Sequence, residues 1–282
     1  MAFGDLFRIN TNSQSMQVRK QLNLINKQIG LTQLRLATGR RILRAEDDAA
    51  GFSIAAKVTA RIAGMEQALR NVSDAKSVLD IAEQSMNSVL DILTMMKVKA
   101  VQAANDTYGT EERGFIQNQV NALVGELDSL VDQTTFQGRN LLDGTYQASF
   151  QAGANVSDVL SVSINTGIAN NGFRPAALQL DSSTLDFSSS DNARASLVTI
   201  DAAITSVVST VNRLGVDQMR LSIREQTISN SIISNQSVKS RIVDADFAKE
   251  ASELLRLQIL QQTLVFSLLQ ANLAPRAVLS LL

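Results

Sequence analysis

Between Val58 and Ala104, steps alternating four and three residues land on Val58, Ile62, Met65, Leu69, Val72, Lys76, Leu79, Glu83, Met86, Leu90, Leu93, Lys97, Ala100 and Ala104. Eleven of those fourteen positions are apolar, a heptad pattern held for almost fifty residues. No strand reads this way, and nothing in the stretch breaks a helix. Proline occurs twice in 282 residues, at Pro175 and Pro275, so very long helices are permitted.

Two further segments share the period. One runs through Ile116, Val120, Leu123, Leu127 and Leu130, the other through Leu197, Ile200, Ile204, Val207, Val211, Leu214, Leu221 and Ile228. The three apolar faces need one another, which predicts a mainly α fold: a long antiparallel helical coiled-coil bundle. The middle of the chain departs from it. LSVSI alternates and QAGANVSD is turn-rich, so Thr145 to Asn165 reads as short strands with a loop region, a small β-hairpin. Asn171-Gly172 is a hairpin-turn dipeptide, and DSSTLDFSSSDN reads as an exposed connector.

The two ends mirror each other. Val18, Leu22, Ile25, Ile29 and Leu36 follow steps of four and three, with Thr32 the polar member. Near the finish, Leu257, Leu260, Leu264 and Leu268 form one stripe. Leu255, Ile259, Phe266, Leu269 and Leu273 form a second. One stripe can pack on the N-terminal helix, but the second needs another cover. We therefore expect these arms, about 5–38 and 244–282, to be largely disordered in the monomer and to fold only among other copies of the chain. Charge follows the same division. Residues 1–38 carry five basic and one acidic side chain and residues 239–282 five and four, leaving −6 on the rest of a chain whose net charge is −1.

That net charge offers no basic field for nucleic acid. With neither Cys nor His there is no thiol nucleophile, imidazole base or zinc site of the usual ligand types, so no catalytic, cofactor or metal residues are expected. Leu257 to Pro275 carries no charge over 19 residues, yet seven of them are polar, which suits neither lipid nor a dry core. No membrane partner is expected. The opening MAFGDLFRINTNSQS lacks the apolar core of a Sec signal.

More specific than periodicity are the motifs themselves. RINTNSQS at 8–15 and RAEDDAAGFSIAAKVTARIAGMEQALRNVSDAKSVLDIAE at 44–83 closely resemble the N-terminal region of bacterial flagellins. AVQAAND at 100–106 and FQGRNLLDGTYQASFQAGAN at 136–155 continue the likeness. KSRIVDADFAKEASELLRLQILQQ at 239–262 and VLSLL at 278–282 are similar to the C-terminal flagellin signature.

The resemblance implies a structural subunit, not an enzyme, that polymerises with itself into the helical flagellar filament and needs no cofactor. Its implied partners are the flagellar type III export apparatus, an export chaperone, the filament cap and the hook–filament junction proteins, and its place is outside the cell. The implied layout has residues 1–43 plus 240–282 as coiled-coil arms of an inner tube. Residues 44–165 plus 194–239 form a rod domain with a β-hairpin, and 166–193 a short variable surface connector with no separate outer domains. Gln258, Gln261 and Gln262 either line a wet central lumen or bond to neighbouring helices. Two other readings stay open: a hook–filament junction protein and a secreted membrane-active coiled-coil effector. Flagellins of many bacteria are sensed by a Toll-like receptor through an Arg, a Leu before the AVQ run and a Glu on the next helix. Aligned on AVQ and IQNQV, those positions are Met95, Lys99 and Gln119, and all three depart from the pattern, so strong activation is not expected.

Two local motifs remain. AEDDAAG at 45–51 gathers three acids, but adjacent carboxylates do not converge on an ion, and Asp47 or Asp48 is better placed to cap a helix. In GRRILR at 39–44, Gly39 marks a helix end, and the arginines can pair with Asp244 or Asp246.

Overall fold

The computed structural model describes residues 11–164, 172–181 and 184–279. Its elements follow the order α1 (Ser13–Thr38), α2 (Ala49–Ala103), α3 (Thr110–Gln133), β1 (Thr135–Phe136), β2 (Arg139–Asn140), β3 (Gln147–Gln151), β4 (Val159–Ser163), α4 (Ser190–Val243) and α5 (Phe247–Leu279). The expected mainly α bundle with a small β region is what forms. The chain divides into two compact units, Met1–Ala60 with Ser234–Leu282 and Arg61–Ile233, and α2 and α4 contribute residues to both.

In the larger unit α2 and α4 run antiparallel. Lys76 pairs with Glu225 at 2.9 Å, Gln218 donates to Glu83 at 2.7 Å, and Lys97 pairs with Asp201 at 2.6 Å. As the α2 partner advances along the chain, the α4 partner recedes. The buried line on α2 is Met65, Ala68, Val72, Ala75, Leu79, Ala82, Met86, Val89, Leu93, Met96, Ala100 and Ala103, an unbroken alternation of three and four.

This corrects the register read from sequence. One column, Met65 to Ala100 in steps of seven, is where it was expected. The other holds at the buried Ile62 and from there on lies one residue earlier, on Ala68, Ala75, Ala82, Val89, Met96 and Ala103. Leu69, Lys76, Glu83, Leu90 and Lys97 sit half-buried beside the line. The three polar interruptions of the sequence pattern are thus the flanking groups that bond α4. The same shift occurs in α4, where Ser196, Ala203 and Thr210 are buried and Leu197, Ile204 and Val211 are not fully so. Large side chains drew the sequence reading to the wrong column, because a small residue can be fully covered where a neighbour lies over it. An 18-residue window of α4 reaches a mean hydropathy of 1.3, enough by length and composition to cross a membrane. Only 28 % of that window is buried: Ile200, Val207 and Leu214 lie on the covered line, while Val198 and Val208 face outward.

Arg113 joins α3 to the end of α2. Its guanidinium is buried and donates to the carbonyls of Ala103 at 2.9 Å and Asn105 at 3.1 Å, supplying both donors and positive charge to the C-terminus of α2. Asp106, between the two helices, lies 3.7 Å from both Arg113 and Arg194. A hydrogen bond from Ser190, then those arginines, lower its pKa.

Among the described residues the β region holds two hairpins. β3 and β4 pair antiparallel with Phe150 opposite Leu160 and Ala148 opposite Val162, as the alternation predicted. Leu160, Val162 and Ile164 turn inward, and Asn71 of α2 donates to the Gln151 carbonyl at 3.1 Å. A two-stranded sheet depends on such support. The shorter pair β1–β2, turning at Gln137 and Gly138 with φ of 50° and 77°, is absent from the sequence reading.

Two expectations about the connector change. Asn171 lies outside the described residues, and Gly172 is an approach point: a Cβ there would stand 2.2 Å from both the Leu142 carbonyl oxygen and the Gly144 nitrogen. Nor is the stretch after it simply exposed, since Phe173, Leu180, Leu185 and Phe187 are fully buried. Its polar residues form a start for α4, with Asp186 accepting from Ser188 and Asn192.

Candidate assembly interface

In the smaller unit α1 and α5 pack along each other antiparallel. Asn12 caps α1 through the Ser15 amide at 2.9 Å and reaches the Ala271 carbonyl at 2.8 Å. Gln261 donates to Asn26 at 2.7 Å, and Arg35 faces Glu250 at 3.8 Å. On α1 the facing line is Val18, Leu22, Ile25, Ile29, Thr32 and Leu36, with Ile25 and Thr32 fully buried and the rest half-buried. On α5 it is Leu254, Leu257, Gln261, Leu264, Leu268 and Ala271. Leu257 and Ala271 are buried there. Leu260, expected on this stripe, lies one position off it and is 36 % exposed, while Gln261 occupies the line and bonds α1. The pair forms in a single chain, where order only among copies was expected, but it covers one face of α5 alone.

The other face stays bare. Leu255, Ile259, Phe266, Leu269 and Leu273 are 56–66 % exposed, each on the side of α5 turned from α1. Gln262 is exposed beside them and Gln258 half-buried. A helix apolar on both faces needs a second partner. The closing Leu281 and Leu282 lie outside the described residues.

The link between the helices is built from backbone. Gly39, with φ of 66°, ends α1, and Arg41 donates its amide to the Val243 carbonyl at 2.6 Å and its guanidinium to Ile242 at 2.8 Å. Arg40 and Asp244 meet through main chain, and Asp246 accepts from the amides of Ala248 and Lys249 to cap α5. Arg41 therefore holds a carbonyl at the end of α4 and Arg44 pairs with Glu46, so neither guanidinium takes Asp244 or Asp246. Asp48 caps α2 through the Gly51 amide at 2.9 Å. Asp47 accepts from the amides of Leu43 and Arg44, both at 2.9 Å, and these bonds hold its carboxyl below the ordinary range.

The chain matches the bacterial flagellin N-terminal helical region over residues 9–147 and the C-terminal helical region over residues 197–282. It is 35 % identical over 307 residues to flagellin of Bacillus subtilis, covering 98 % of this chain and 99 % of that one. It is 32 % identical over 291 residues to flagellin FlaB1 of Treponema pallidum, covering 97 % and 99 %. The chain belongs to the bacterial flagellin family. As a flagellin it is a structural subunit of the flagellar filament. A solved structure assigned to a flagellar hook-associated protein of Vibrio parahaemolyticus superposes with a TM-score of 0.60 at 14 % identity, over 70 % of this chain and 100 % of that one. That likeness is one of fold.

Within this flagellin the three positions aligned to the receptor patch fall in the larger unit. Met95 is 49 % exposed, Lys99 half-buried and Gln119 exposed. Sequence reasoning missed Arg113, which follows Glu111 and Glu112, and Arg35, which stands between two leucines. The signal available for Arg113 was its place ten residues past Ala103, reaching back across a turn.

Proposed function

We propose that this flagellin leaves the cell through the flagellar type III apparatus, escorted by an export chaperone, and is added beneath the filament cap above the hook–filament junction proteins. In the filament, residues 1–43 and 240–282 form an inner tube, 44–165 and 194–239 an outer rod with its β-hairpin, and 166–193 a surface connector. Neighbouring copies cover the outer face of α5, and Gln258 and Gln262 either turn to the lumen or bond to those neighbours. The observation that carries this reading is the uncovered stripe from Leu255 to Leu273 on a helix whose opposite face is already used. Copies of one chain can close it with repeated heterologous contacts, which generate a helical filament when the rotation does not return on itself.

Elongation from filament seeds tests it. The double variant Ile259→Ser, Phe266→Ser is expected to keep the monomer's circular dichroism and lose elongation, since both side chains stand in solvent in the monomer. Elongation at the wild-type rate, or a wild-type chain that stays monodisperse with seeds present, would overturn the reading.

A further inference from the structure

Between the last turns of α1 and the first turns of α5 lies an open groove of about 870 Å³ lined by Arg35, Arg41, Lys249, Arg256, Glu250 and Glu253. Its charges are not balanced internally. Arg256 is taken by Glu253, and Arg41 is bonded to a carbonyl, which leaves its charge unmatched. Lys249 is exposed, and its ammonium has no partner among the described residues. Arg35 stands between Asp47 and Glu250, each 3.8 Å away, too far for a direct hydrogen bond. Its Nε is shut off from water and bonds to nothing. The side-on edge is thus closed to an incoming group, and the donors left to offer are Nη1 and Nη2, whose acid neighbours stand beyond hydrogen-bond distance.

We infer that this groove receives a carboxylate from the Arg61–Ile233 unit of a second copy of the chain, Arg35 and Lys249 holding it. This rests on the assembly reading above and adds a polar anchor to it. Two observations choose the occupant. Met1–Ala60 with Ser234–Leu282 carry 14 basic and 8 acidic side chains, whereas Arg61–Ile233 carry 12 and 19, so the two units attract one another between copies. The second unit has carboxylates to spare: Glu66, Asp74, Asp91 and Glu126 are exposed with no ion pair among the described residues.

The test mixes isotopically light and heavy full-length chains, grows filaments from seeds, and couples carboxylates to lysines with a carbodiimide. Mass spectrometry is expected to find Lys249 joined to an acid of the 61–233 unit in mixed light–heavy pairs, in filaments and not in monomer. Arg35→Gln and Lys249→Gln are each expected to raise the concentration needed for elongation about tenfold at low salt, with the difference shrinking at high salt. Lys249→Gln serves where Arg35→Gln alters the monomer, because Lys249 contributes nothing to the single chain. Filaments that elongate while Lys249 couples only to its own Glu250 or Glu253, or variants that elongate as wild type, overturn the groove and leave the assembly reading standing. Arg35-dependent thermal stabilisation of the monomer by inorganic phosphate also overturns it, by making the groove a site for a free ion. A wild-type chain that never elongates overturns both.

Discussion

Asp47 gathers the link between α1 and α2 through one carboxylate, taking the amides of Leu43 and Arg44 with Arg35 behind it. Those bonds need the ionised form, so its folded pKa lies below the ordinary 3.8. The stabilisation is fully present above that value and is lost as pH falls through the lowered one. Hydrogen exchange at the Leu43 and Arg44 amides is expected to speed up beyond the intrinsic trend in the wild type as pH falls below the ordinary 3.8 and through the lowered value. Asp47→Asn should flatten that pH dependence, because an amide accepts equally throughout. Protection that stays unchanged in the wild type until the whole chain unfolds in acid would remove Asp47 from this role. The acids of AEDDAAG were legible as caps because their spacing from the apolar run fits a helix start. Which backbone groups Asp47 takes was not legible, since that depends on how the turn closes.

At the scale of the element, the helices were legible and their registers only in part. The 4–3 period marks α2, α3 and α4 because a helix repeats every 3.6 residues whatever lies against it. Which of two adjacent columns is covered depends on where the neighbour sits, and the structure chose alanine over leucine on α2. Ala82→Leu is therefore expected to destabilise by about 1–3 kcal/mol through overpacking. Glu83→Leu, which the sequence register would make a core improvement, should change stability by less than about 1 kcal/mol, exchanging its bond to Gln218 for partly exposed apolar surface. Thermal melts of the two variants decide between registers, and the reverse ranking would restore the one read from sequence. The β1–β2 hairpin escaped notice because two residues per strand carry no periodicity.

For the whole molecule, the division into two units has a physical consequence. The heptad lines of α2 and α4 within residues 61–233, with α3 and the hairpins, enclose a continuous core that includes Leu79, Met86, Leu93, Leu127 and Phe187. A chain of residues 61–233 is expected to keep its helices and melt cooperatively by circular dichroism, yet fail to elongate seeds. Loss of helix well beyond the share of the removed residues would show that the unit depends on the arms. What the sequence by itself determined is the family, the helical class, the β3–β4 strands and the two apolar stripes of α5, because all of these are local repeats or motifs carried in order along the chain. The tertiary structure decided which alanines are core, that Gly172 marks a crowded crossing, that Gln261 faces α1, and that Arg35 is left without a full complement of acceptors. Each of these depends on groups far apart in sequence arriving at one place, and periodicity along a single helix has no term for a neighbour.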